Sequence, residues 1–197
     1  PPFIVNSGGL SYLVEGANSS ALKNFVVYEG GIHLDGINEM TIQENIVYNH
    51  YNFYIYDLLF ENGASDNIIQ NNIFYKQHFS GMSWALQPVV VYISQNSDDN
   101  RFINNTIHSR DYYGIGIYDD VIGIYLEDYT EDNEFRNNII DTLTYPTSGG
   151  TRYGFYTNGT SVTAVIDYNK TPPNNYGVTM GTGNLLMSQL PRIVNPM

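Results

Sequence analysis

The sequence predicts an all-β solenoid, a parallel β-helix of about six stacked coils, and three observations carry that expectation. The blocks DNIIQNNIF from Asp66, DNRFINNTI from Asp99 and DNEFRNNII from Asp132 align without gaps at a constant spacing of 33 residues. Within each block apolar residues alternate with polar ones, Ile69, Phe102 and Phe135 against Gln70, Ile103 and Arg136, which is the period of a short strand. An Asn pair recurs at one point of these blocks. When coils stack at the ~4.8 Å strand spacing, Asn45, Asn72, Asn105 and Asn138 fall one above another, and each amide can bond the next. Asn also tolerates the left-handed backbone that a sharp turn demands.

The coils follow in order over residues 18–169 of a single domain spanning 1–197. A degenerate copy, NSSALKNFVV, starts at Asn18, and a looser one, EMTIQENIV, starts at Glu39, 27 residues before the first clear block. A remnant, VIDYN, ends at Asn169, and residues 170–197 form a closing segment. A second alternating segment lies upstream of the blocks: Ile32-His33-Leu34, Val91-Tyr92-Ile93 and Ile124-Tyr125-Leu126. Each repeat therefore carries at least two short strands. Six coils give a column of roughly 30 Å.

Composition narrows the function classes. Charged residues make up only 14% of the chain, yet eight Lys and Arg against twenty Asp and Glu leave a net charge of −12, which repels phosphate backbones and anionic membranes. Nucleic acid is not expected as a partner, and no apolar stretch reaches the ~20 residues of a membrane span. Tyr, Asn, Gly, Thr and Ser take the place of charge, a set suited to strands, tight turns and neutral hydroxylated ligands. The expected location is extracellular or on the cell surface. Asn18, Asn104, Asn158 and Asn169 each open an Asn-x-Ser/Thr sequon, so a secreted form would be a glycoprotein. Pro1 in the place of an initiator Met predicts a processed piece of a longer chain.

The N-x-[IF]-x-N-N blocks at 67, 100 and 133, with the ending IDYN, GTGNLL and QLPRIVNP, resemble right-handed β-helix repeat proteins of the pectate-lyase-like superfamily over roughly residues 18–196. The resemblance implies a right-handed, single-stranded helix. It does not imply one chemistry, because the superfamily holds lyases, epimerases, glycoside hydrolases, tailspikes and adhesins. Two departures stand out: no helical pattern precedes Asn18, and the chain stops at Met197. Bare ends would expose unpaired strand edges and template head-to-tail stacking, and PFIVN at Pro2 echoes PRIVN at Pro191.

Three constellations are candidate sites. Alternation places Tyr92, Tyr125 and Tyr156 on the outer face of the upstream strand, with His33 in the same column, as a platform for pyranose rings. The alternative is an aromatic ladder that only supports the sheet. The insertions at 75–88, 108–121 and 141–153 bring Lys76, His78, His108 and Arg110 together beside Tyr75, Asp111 and Asp141. A uronate lyase or epimerase needs a cation for the substrate carboxylate, a base for the C5 proton and an acid such as Tyr for the leaving oxygen. Asp98, Asp99, Asp119 and Asp120, with Asn carbonyls, suit Ca²⁺, which superfamily lyases often use, although no cofactor is required. Two functions follow: a non-enzymatic structural or adhesive β-helix that self-associates and binds glycan, or a lyase or epimerase acting on an acidic glycan.

Overall fold

The computed structural model describes residues 3–5, 18–49, 56–78, 89–111, 120–143 and 151–186. Their strands form three parallel sheets. The first sheet stacks Ala21–Lys23, Thr41–Gln43, Ile68–Gln70, Arg101–Ile103, Asn133–Arg136 and Ala164–Asp167. The second stacks Phe3–Val5, Val26–Tyr28, Ile46–Asn49, Ile73–His78, Thr106–Asp111, Ile139–Leu143, Lys170–Thr171 and Leu185–Leu186. The third stacks Ile32–Asp35, Leu58–Glu61, Val89–Ile93, Val121–Leu126, Arg152–Tyr156 and Asn174–Tyr176. Each coil visits the three sheets in turn, so the chain is a β-solenoid. The repeat extends beyond the expected coils, because residues 170–176 continue the stack and the second sheet gains a strand at each end.

The first sheet is short because each of its strands lies between two sharp corners. At the corner before it, Ser19, Glu39, Asp66, Asp99 and Asp132 have positive φ. At the corner after it, so do Asn24, Glu44, Asn71, Asn104, Asn137 and Tyr168. These residues turn the chain, and the residue that follows each in the clear repeats is an Asn whose side chain points inward. Of each Asn pair, then, the first member makes the bend and the second fills the interior.

The inward Asn residues form two ladders. Nδ2 of Asn45, Asn72, Asn105 and Asn138 donates to Oδ1 of Asn72, Asn105, Asn138 and Asn169 respectively, at 2.9–3.1 Å. Each of those Oδ1 atoms also accepts the backbone N–H of the Asn one coil earlier. Asn184 Oδ1 extends the ladder by accepting from Asn169 N at 2.8 Å. The second ladder, Asn67, Asn100 and Asn133, stands at the other corner, with Asn67 Nδ2 on Asn100 Oδ1 at 3.0 Å. A buried amide with every group paired stabilises; the same amide unpaired would cost about 1–3 kcal/mol per group.

Between the ladders lies an apolar core. Phe60, Phe102, Phe135 and Phe155 are fully buried, and successive rings meet at 5.6, 4.8 and 5.1 Å. Where the third sheet begins, its backbone passes close to the inward side chains of the second. A Cβ on Gly123 would run into Ile140 Cγ2 and lie 2.9 Å from Gly154 O, so only glycine fits there.

Candidate functional site

The outer face of the third sheet carries one column of aligned positions: His33, Leu59, Tyr92, Tyr125, Tyr156 and Tyr176. In the strands of Tyr92 and Tyr125 the flanking Val91, Ile93, Ile124 and Leu126 are buried, so alternation puts these tyrosines outside. Tyr92 and Tyr125 stack with centroids 5.0 Å apart and planes within 2°, Tyr125 and Tyr156 at 5.5 Å, and Tyr156 and Tyr176 at 5.0 Å. The spacing follows from the parallel register, since in-register strands bring identical side chains to one strand spacing. Tyr56 adds a fifth ring, 4.7 Å from Tyr92. It comes from outside the strand positions and lies over the step where the column carries buried Leu59. His33 shares the column, and its Nε2 lies 2.9 Å from Glu61 Oε2.

These separations exceed the ~3.5–4.0 Å of direct atomic contact, so the rings meet in the offset manner aromatic pairs prefer. Offset stacking covers much of each ring face, leaving Tyr92, Tyr125 and Tyr156 half-buried and Tyr176 exposed. Burial pushes the Tyr92 hydroxyl well up from its ordinary range, and the Glu127 carboxylate, to which it hydrogen-bonds, adds to the shift. Tyr125 is shifted the same way, by burial first and then by Glu127 and Tyr156, and Tyr156 by burial and then by Tyr176. The column therefore presents neutral hydroxyls, one of which, on Tyr125, donates to Asn158 Oδ1 at 2.8 Å. Tyr176 was hard to foresee because it stands 20 residues after Tyr156, outside the 33-residue period.

The second candidate cluster is divided by the fold. The insertions were expected to begin at 75, 108 and 141, but the second-sheet strands run on to His78, Asp111 and Leu143. Lys76 consequently points inward. It is buried, with Nζ 3.8 Å from the fully buried Asp57 Oδ1, and so is not a surface cation for a substrate. Tyr75, His108 and Arg110 face outward from strands. Tyr28, Tyr48, Tyr75 and His108 stack in a second aromatic column at 5.5, 5.0 and 4.8 Å. His108 Nδ1 lies 3.3 Å from Asp141 Oδ2. His78 pairs with Asp111 along the sheet, and the side chains of both lie outside the description.

The acidic residues are occupied by local bonds. Asp98 Oδ1 accepts from Glu131 N at 2.7 Å and Asp120 Oδ1 from Thr151 N at 2.7 Å, while Asp99 makes a corner in a column with Asp66 and Asp132. Among the described residues no three His, Asp or Glu converge as metal ligands, and Asp119 lies outside them. Of the sequons, Asn18, Asn104 and Asn158 are exposed. Asn169 is instead buried in the ladder with Nδ2 on Phe135 O and Asn138 Nδ2 on its Oδ1, so it is a structural residue and is removed from the glycosylation candidates.

Parallel coils, corner ladders and a stacked core define a right-handed β-helix. The chain belongs to that family: the family model for the right handed beta helix region matches residues 4–189. Neither curated proteins nor solved structures provide a match.

Proposed function

We propose that this protein is an extracellular or cell-surface β-helix that binds polysaccharide along the tyrosine column of its third sheet and acts without a catalytic centre. The five stacked rings, Tyr56, Tyr92, Tyr125, Tyr156 and Tyr176, carry this reading. The ring surface left uncovered packs against the C–H faces of sugars, and the hydroxyl oxygens of Tyr92 and Tyr125, whose protons go to Glu127 and Asn158, accept from sugar hydroxyls. Titration calorimetry against a panel of oligosaccharides is expected to give binding that weakens about fivefold in Tyr125→Ala, since one aromatic contact contributes about 1 kcal/mol. A panel that gives no heat, or affinity indifferent to Tyr125, removes the reading.

Side-by-side association of copies is supported by a different face. Ile46, Ile73 and Ile139 stand in one column of the outer second sheet at 40, 44 and 36% exposure, with Thr106 between Ile73 and Ile139 and Tyr28 beside the column. Such an aliphatic column suits a partner surface. Sedimentation that is concentration-dependent in the parent and monomeric in Ile73→Glu is the expected result. Uniform monomer in both would end it. A lyase retains Tyr75, His108 and Arg110 on that same sheet but loses Lys76. Release of unsaturated uronate from pectate, alginate or glycosaminoglycan, abolished in His108→Ala, would favour it.

A further inference from the structure

The position two residues beyond the tyrosine column forms a parallel column of its own: Asp35, Glu61, Ser94, Glu127 and Asn158. Its members are carboxylates, a hydroxyl and an amide, and the position two beyond Tyr176 is the apolar Val178. A groove of about 510 Å³ opens at this edge, lined by Asn62, Gly63, Ser94, Gln95, Asn96 and Glu127. That volume falls within the ~300–1,000 Å³ of small-ligand sites. Glu127 joins groove and column, because Oε2 accepts from Gln95 N at 3.2 Å and the carboxylate also takes the Tyr92 hydroxyl. Its charge is therefore held in place beside the ring that a ligand would cover. Arg152 is the one Lys or Arg among the described strands of this sheet, and it lies four residues before Tyr156, at the opposite end of its strand.

We infer that the tyrosine column and its adjoining groove select an uncharged polysaccharide, a hexose polymer free of carboxylate and sulfate groups. This rests on the column being a glycan site. Sugar hydroxyls can donate to Glu127, Asn62 and Asn96, as hydroxyl-bearing ligands require of a polar lining. A uronate or sulfate at the same place meets Glu127 on the groove wall, in a column that continues to Glu61 and Asp35, with net −12 on the whole chain behind them.

The test uses neutral gluco-, manno- and galacto-oligosaccharides, each paired with its C6-oxidised, carboxylate-bearing counterpart. Binding is measured at low and high salt to the parent protein, to Tyr125→Ala and to Glu127→Gln. The expected result is Tyr125-dependent binding of a neutral member at least about tenfold tighter than its oxidised partner. The gap should narrow in salt and in Glu127→Gln, as screened and deleted charges must produce. Equal or tighter Tyr125-dependent binding of an oxidised member overturns the inference and leaves the column as a glycan site. Binding by neither member of any pair, or binding indifferent to Tyr125→Ala, overturns both.

Discussion

Asp57 and Lys76 form a charged pair in the interior, next to Asn49 and in one inward column with Ser109 and Thr142. Burial pushes Asp57 up from 3.8 to about 7, partly offset by the Lys76 cation and by the nearby Asn49 amide, and burial pulls Lys76 down from 10.5. The folded Asp57 keeps its proton to higher pH than the unfolded one. Its contribution to stability is thus largest in acid and falls as pH rises from about 3.8 to about 7. Lys76 acts in the opposite sense, gaining as pH rises toward 10.5. In Lys76→Met the carboxyl loses its cation and titrates higher still. Urea unfolding followed by circular dichroism should show that variant losing about 3–5 kcal/mol, and losing more between pH 5 and pH 8 than the parent does. Adding Asp57→Asn should restore most of it. The inward course of Lys76 was illegible in the sequence for a specific reason. The inward positions after Phe74, Ile107 and Ile140 are Lys76, Ser109 and Thr142, so the apolar half of the alternation disappears while the strand continues. Gly123 was equally silent, because its role depends on Ile140, which approaches it from another sheet.

Strands and corners were far more legible. The first-sheet strands fall where alternation and the Asn pairs predict them, since a two-residue period and identical residues at 33-residue spacing survive without any tertiary information. The degenerate early copies were readable for the same reason, although Phe25 and Met40 replace the ladder Asn at their corners. The ladder of Asn67, Asn100 and Asn133 was present in the repeated blocks but indistinguishable from a turn residue until its amides were seen to bond between coils. The strands are held together mainly from inside. Phe102 stacks on Phe135 at 4.8 Å and touches Phe60, with no exposed surface. Phe102→Ala should cost about 3–5 kcal/mol in a denaturant titration and leave the strand signal in circular dichroism intact. Gly123→Ala, by contrast, should displace the adjoining strands, and a loss well below 1 kcal/mol would show that the contact with Ile140 relaxes freely.

At the scale of the molecule, each coil bonds chiefly to the coil before and the coil after, as in other solenoids whose stability is a sum of unit and interface terms. Because Asp99-Asn100 and Asp132-Asn133 are equivalent corners, excising residues 101–133 joins Asn100 to Glu134 with the repeat in phase. The shortened protein should fold to the same strand signature with a lower melting temperature. An unfolded product would mean that stability is not modular. Glycan affinity should also fall, since Tyr125 leaves and Tyr92 meets Tyr156. The principal ladder gives the molecule a direction as well as an interior. The bonds between ladder side chains all run toward the later coil, while the second proton of each Nδ2 goes back to a backbone carbonyl of the earlier coil, so each amide from Asn45 to Asn138 ties three successive coils together. Loss of one such Asn therefore reaches two coils at once: without Asn72, the carbonyl of Ile42 in the coil before and the amide oxygen of Asn105 in the coil after each lose a donor.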